Sequence, residues 1–176
     1  TDTSIGSSPV SVAFSAVSLS KQFFGDLSQQ TALLLGAGET IELVARHLSE
    51  ANIGNLIIAN RTLEKAHTLA ESLRGYAIGL EEIDNHLHEA DIIIGSTGSP
   101  YAILKQAQVI KALKKRKNRP MFMIDIAVPR DIEASINELD NVYLYTVDDL
   151  KEIIEGNKQS RQAAALEAEE IIELQA

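Results

Sequence analysis

The chain has 176 residues, of which 45% are hydrophobic and 23% charged, with a formal net charge of −9 and no cysteine. That composition fits one globular domain, or one domain plus an extension, and excludes a disulfide framework, a thiolate metal site and a cysteine nucleophile within the chain. The acidic balance argues against an unaided grip on a nucleic-acid backbone. No apolar run is long enough to span a bilayer, and Thr1 to Ser8 lack the regions of a signal peptide, so a cytoplasmic setting without a membrane partner is expected.

Val12, Ala13, Ala16, Val17 and Phe24 recur at near-helical spacing, with Pro9 suited to a first turn and Gly25 to a stop, which predicts a helix from Pro9 to Phe24. The pattern then alternates: strand Thr31 to Leu35, helix Thr40 to Ala51, strand Asn55 to Ala59, helix Leu63 to Leu73. Gly54 and Gly75 fall where those helices should end. A short strand at Tyr76 to Ile78, a helical turn through Glu82 to Glu89, and strands Asp91 to Gly95, Met121 to Ile126 and Val142 to Thr146 follow. Short, nearly all-apolar strands between amphipathic helices describe a doubly wound, mainly parallel α/β sheet of Rossmann type over residues 1–146.

Thr146-Val-Asp-Asp149 has the form of a capping box, and helix-compatible sequence runs on to Ala176. Val147, Leu150, Ile153 and Ile154 can pack on the domain, but Glu155 to Gln162 is polar, and apolar spacing resumes only at Ala164, Ala168 and Ile171. Residues 147–176 are therefore expected to form a helix that leaves the domain toward a partner. The polar start and the missing C-terminal stop suggest a piece of something longer. Lys114-Lys-Arg-Lys117, with Arg119, reads as cations solvating a helix C-terminus, with a tRNA contact as the less favoured alternative.

The chemistry concentrates at strand ends. Thr31 to Leu35 runs into Gly36-Ala37-Gly38-Glu39-Thr40-Ile41, an apolar strand ending in Gly-x-Gly before a helix, which offers free backbone N–H groups to a pyrophosphate. Ile41 stands where the usual third glycine would be, implying a wider helix approach or a shifted phosphate. The next strand ends in Asn60-Arg61-Thr62, where a domain preferring NAD presents an acidic residue to the ribose; a guanidinium there suits the 2′-phosphate of NADP. Thr62 can cap the following helix, and Lys65 adds charge one turn in. Ser96 and Thr97 after the fourth strand, and the Ala127 to Pro129 loop with Val128 after the fifth, should border the nicotinamide half, although Ser96 and Thr97 equally suit plain turn chemistry.

Asp125 reads as a buried structural carboxylate bonded to backbone N–H groups. His86-x-His88 offers two histidines on different helix faces without a third ligand, so no metal site is assigned. His47 and His67 read as surface residues of amphipathic helices.

Together these segments resemble the glutamyl-tRNA reductase family. The resemblance spans nearly the whole chain and rests on Ser4-Ile-Gly-Ser-Ser-Pro-Val-Ser-Val12, Gly36 to Leu48, Ala59-Asn-Arg-Thr62, Asp125-Ile-Ala-Val-Pro-Arg-Asp131 and Tyr143 to Leu150. It implies an NADPH-dependent oxidoreductase of tetrapyrrole (porphyrin) biosynthesis with three domains: a catalytic one, this nucleotide-binding one, and a helical dimerisation domain reached by a long spinal helix. In that family a catalytic cysteine attacks glutamyl-tRNA, and NADPH reduces the thioester to glutamate-1-semialdehyde. With no cysteine here, no catalytic residue carries over, and the isolated chain is expected to be inactive. Two alternatives stay open: a shikimate dehydrogenase-like NADP oxidoreductase, whose catalytic lysine and aspartate would sit in a separate substrate domain, and a non-catalytic NADP-binding module.

Overall fold

The computed structural model describes residues 8–156. Its elements are α1 (Pro9–Phe24), β1 (Thr31–Leu35), α2 (Glu39–Glu50), β2 (Asn55–Asn60), α3 (Leu63–Ser72), β3 (Tyr76–Gly79), α4 (Ile83–His86), β4 (Ile92–Gly95), α5 (Gln106–Lys115), β5 (Met121–Asp125) and β6 (Val142–Thr146). Short 3-10 turns flank α4 at Leu80–Glu82 and Leu87–Glu89, and a further one, Ala134–Glu138, precedes β6. A last helix, α6, covers 147–156. The predicted boundaries for α1, β1 and β6 hold, those of α2, α3, β2, β3, β4 and β5 move by one residue, and α5 occupies a stretch for which only a helix end in the basic run is expected.

The six strands form one sheet in the order β3-β2-β1-β4-β5-β6, and every pairing is parallel. Burial on both faces explains the apolar strands, because successive side chains point to opposite sides. Ala32, Leu34, Ile58, Ile92, Ile94, Phe122 and Ile124 pack with α1, α2 and α3 on one face. Leu33, Leu35, Ile57, Ile93, Met121 and Met123 pack with Ile83, Leu87, Val109 and Leu113 on the other. The order reverses between β1 and β4, so their carboxyl ends flank the crevice where such sheets take ligands.

The capping box that opens α6 is present: the Thr146 N–H donates to Asp149 Oδ2 at 2.8 Å, and the Asp149 N–H donates to Thr146 Oγ1 at 3.4 Å. Leu150 is fully buried and joins the core, with Val147 packed against it. The extended helix expected beyond 156, and Ser4 to Ser7 of the first quoted motif, lie outside the described residues. Among the described residues, no helix is long and apolar enough to cross a membrane.

Three local expectations are corrected. Gly25 does end α1 with φ +78°, but Gly54 and Gly75 do not end α2 and α3. The left-handed positions there belong to Asn52 and Arg74, at φ 62° and 57°. Gly54 is needed for closeness instead, since a Cβ would sit 2.5 Å from the Ser28 carbonyl oxygen. Thr62 occupies the N-cap of α3, yet its side chain makes no cap hydrogen bond. Arg116, read as a solvated cation, is buried and ion-paired with Asp91 at 2.8 Å. It also donates to the carbonyls of His88, Arg119 and Pro120, because the turn into β5 folds back over the amino edge of β4.

Candidate cofactor site

At the exit of β1 the backbone turns at Gly36, with φ +112°. Only glycine takes that conformation without strain, and a Cβ would also lie 2.6 Å from the Ser96 carbonyl oxygen, so the β1 and β4 exits abut. Gly38 is the N-cap of α2 and supplies no side-chain cap. A Cβ there would meet nothing within 4 Å, leaving open space in front of the helix. The Glu42 N–H closes the first turn on the Gly38 carbonyl at 2.9 Å, which leaves the N–H groups of Glu39, Thr40 and Ile41 without intrahelical acceptors. Those donors, at the positive end of the helix, form an anion-receiving surface. Ile41 is fully buried and fills the space beside Gly36, its Cγ1 being 3.5 Å from where a Gly36 Cβ would stand. Ala37 borders a hollow of about 520 Å³ between α2 and α3, which Lys65 also lines.

Asn60 ends β2 and turns its side chain back, Nδ2 donating to the Thr62 carbonyl at 3.1 Å. That bond holds the turn while Arg61, Thr62 and Lys65 face solvent. Arg61 makes no hydrogen bond or ion pair with any described residue, Glu64 in the next turn included. An unpaired guanidinium at a strand end is ready for a bidentate anion.

The exits of β4 and β5 are tied together by two buried carboxylates. Asp125 accepts the Ala127 N–H at 3.1 Å and the Ile132 N–H at 2.8 Å, the structural role read from the sequence. Asp131, fully buried, accepts the Thr97 N–H at 2.8 Å and a short bond from the Thr97 hydroxyl. Its backbone carbonyl takes the N–H groups of Ile103 and Leu104. Gly95 is required beneath it, for a Cβ there would lie 2.9 Å from Asp131 Oδ2. Burial pushes the Asp131 carboxyl up to about 6 against the two Thr97 bonds, and the nearby Asp125 charge adds to the rise. Burial likewise raises Asp125, opposed by its backbone N–H donors and by the charge of Arg130.

Thr97 thus has its hydroxyl committed to Asp131, while Ser96 lends its N–H to Leu35 and remains half-buried. Val128 stands 81% exposed beyond β5, an apolar surface at the mouth. The residues singled out as cofactor contacts lie along the carboxyl edge; they fall into a phosphate-type turn, a cationic strand end and a small-residue loop. Sequence reasoning passed over Asp131, although it lies in a quoted motif, because its partner is 34 residues away. It also passed over Tyr101, 79% exposed on the β4 loop, whose backbone is held by bonds to and from the Ser99 hydroxyl. A larger cleft, about 940 Å³, lies at the opposite edge beside Thr31, Asn55 and Tyr76 and touches none of these groups. Among the described residues, no three His, Asp or Glu side chains converge as metal ligands.

Comparison with known proteins gives these features a lineage. The family model described as Shikimate / quinate 5-dehydrogenase matches residues 18–153. Glutamyl-tRNA reductase of Hydrogenovibrio crunogenus is 76% identical over 176 residues, covering all of this chain and 41% of that protein. The solved glutamyl-tRNA reductase from Methanopyrus kandleri matches with a TM-score of 0.82 at 36% identity, over 93% of this chain and 41% of that one. The nucleotide binding domain of glutamyl-tRNA reductase from Thermoplasma volcanium matches 86% of this chain and 96% of its own, with a TM-score of 0.66; at 20% identity that shows the fold alone. The chain therefore spans about two fifths of the curated relatives it matches. By its match over residues 18–153 it belongs to the shikimate / quinate 5-dehydrogenase family, and along its whole length it is similar to the glutamyl-tRNA reductases.

Proposed function

We propose that the carboxyl edge binds NADPH and that the chain is the nucleotide-binding part of a longer glutamyl-tRNA reductase. The observation that carries this reading is the pairing of an uncapped Gly36–Gly38 turn with a free Arg61 at the end of the next strand. The N–H groups of Glu39, Thr40 and Ile41 hold the pyrophosphate. Arg61 forks onto the 2′-phosphate, Asn60 and Thr62 shape the turn that presents it, and Lys65 adds positive charge. Ser96, Thr97 and Val128 border the reactive ring, with Val128 excluding water from one side.

When bound, NADPH supplies hydride to a glutamyl thioester, yielding glutamate-1-semialdehyde for tetrapyrrole synthesis. The chain's own residues hold and orient; none is assigned a catalytic role. The cysteine nucleophile and the dimer contacts belong, in this reading, to other parts of the longer protein, a cytoplasmic homodimer. The chain alone is expected to be inactive. Identity of 76% along the whole chain favours this over a dehydrogenase of the shikimate type or a non-catalytic NADP sensor.

Fluorescence titration with NADPH and NADH tests the reading. NADPH should bind more tightly, and Arg61→Ala should weaken NADPH by about tenfold, ~1.4 kcal/mol, while leaving NADH unchanged. Equal affinities for the two cofactors, or an unaltered preference in the variant, would refute the selector role.

A further inference from the structure

Residues 105–119 contain seven of the chain's sixteen lysines and arginines and none of its 25 acidic residues, leaving nine cations against all those acids elsewhere. The fold sorts the seven into one anchor and six displayed charges. Arg116 is the anchor, buried on Asp91 and bonded to the carbonyls of His88, Arg119 and Pro120. Lys105 stands at the N-cap of α5, and Lys111, Lys114, Lys115, Lys117 and Arg119 run from the helix past the anchor; all six are exposed. None forms an ion pair with a described residue.

Lys111, Lys114 and Lys115 sit three and four positions apart, so they share one outward side of α5. They line a groove of about 410 Å³ against the 84–88 segment, where the acid present, Asp84, is held by Gln108 at 2.6 Å. The chain then turns through Lys117 and Asn118, both left-handed at φ 57° and 62°, and the Arg116 bonds fasten that turn so that Arg119 continues the row. The helix dipole accounts for Lys114 and Lys115 at the end of α5, but not for Lys117 and Arg119 beyond it. The basic end lies where β5 begins, at the edge opposite Gly36 and Arg61. It is therefore placed to leave the cofactor edge uncovered.

We propose that this basic face, from α5 to Arg119, docks the phosphate backbone of RNA, namely the tRNA of the substrate. The inference rests on the reading above that the longer protein acts on glutamyl-tRNA. A row of unpaired cations complements a polyphosphate, and the acidic remainder of the chain repels it, so the face sets orientation as well as contact. The charge of this patch also answers the objection raised by the net −9, because binding follows the local field rather than the sum.

Labelled tRNA specific for glutamate, titrated into the full chain at low salt and followed by anisotropy, tests this. Binding should weaken steeply with salt, by about 0.9 in log–log slope per phosphate contact for a duplex. The triple variant Lys114→Glu, Lys115→Glu, Arg119→Glu should lose about tenfold or more in affinity and lower the slope by roughly two to three. The corresponding Gln substitutions keep the test open if the acidic variant misfolds, and circular dichroism reports folding of both. Absence of tRNA binding, equal binding by wild type and the folded variant, or tighter capture of a polyglutamate peptide than of tRNA would overturn the proposal. The same samples titrated with NADPH separate the two readings: NADPH without tRNA binding overturns the basic face alone, and tRNA without NADPH binding overturns the cofactor assignment alone.

Discussion

The chain leaves β1 through bare backbone and leaves β4 through a loop lashed to a buried carboxylate, although the two exits touch at Gly36 and Ser96. After β1 the helix N–H groups have no side-chain cap, and the space in front of Gly38 is open. After β4 both polar groups of Thr97 are spent on Asp131, whose own carbonyl holds the chain again at Ile103 and Leu104. One exit keeps its donors vacant, and the other uses them to become rigid. An anion needs vacant donors, while a flat ring needs a wall that does not move, so in the proposed reading one sheet edge serves both ends of a dinucleotide by opposite means.

Breaking the vacant exit gives the largest expected effect. Gly36→Ala should cost about 3 kcal/mol or more in urea unfolding, from a positive φ combined with a clash against the Ser96 backbone. It should also abolish NADPH binding; a stable variant that still binds would show that the close approach of the two exits is dispensable.

The rigid exit is probed through pH. The Asp131 carboxyl is raised in the folded state to about 6, so the native chain binds the proton more readily than the unfolded one. Its stabilising contribution is present below the unfolded value near 4 and is lost as pH rises through about 6, by roughly 2–3 kcal/mol. Asp125 shifts in the same direction. Urea unfolding of wild type and Asp131→Asn between pH 4 and 7 should give curves that diverge across that window, the variant lacking this slope. Parallel curves would mean that Asp131 does not titrate there.

Two smaller effects sharpen the contrast. Arg61→Ala should leave unfolding within about 0.5 kcal/mol of wild type, because an exposed side chain without a partner holds nothing in the free chain. Thr62→Ala should also change stability by less than about 0.5 kcal/mol, against the ~1 kcal/mol typical of a lost cap, since the hydroxyl makes no cap bond. A loss near 1 kcal/mol on urea unfolding would show that Thr62 caps α3 in solution.

Much of this is legible in the amino-acid sequence. The apolar runs and their spacing placed α1, β1 and β6, the Gly36–Gly38 turn announced itself between strand and helix, and Asp125 was recognisable as structural from its place at a strand end. These are local properties, encoded by residues within a turn or two of each other. Arg116 and Asp131 were not legible, because what they do depends on Asp91 and Thr97, 25 and 34 residues away. The amino acids alone determined the period of each element and the supply of donors, cations and bare backbone. Only the tertiary structure, by setting β4 beside both β1 and β5, decided which of those polar groups are spent inside the protein and which remain free. Partners far apart in the chain meet only when the sheet closes over them, and a buried charge must find its partner there or not be buried at all.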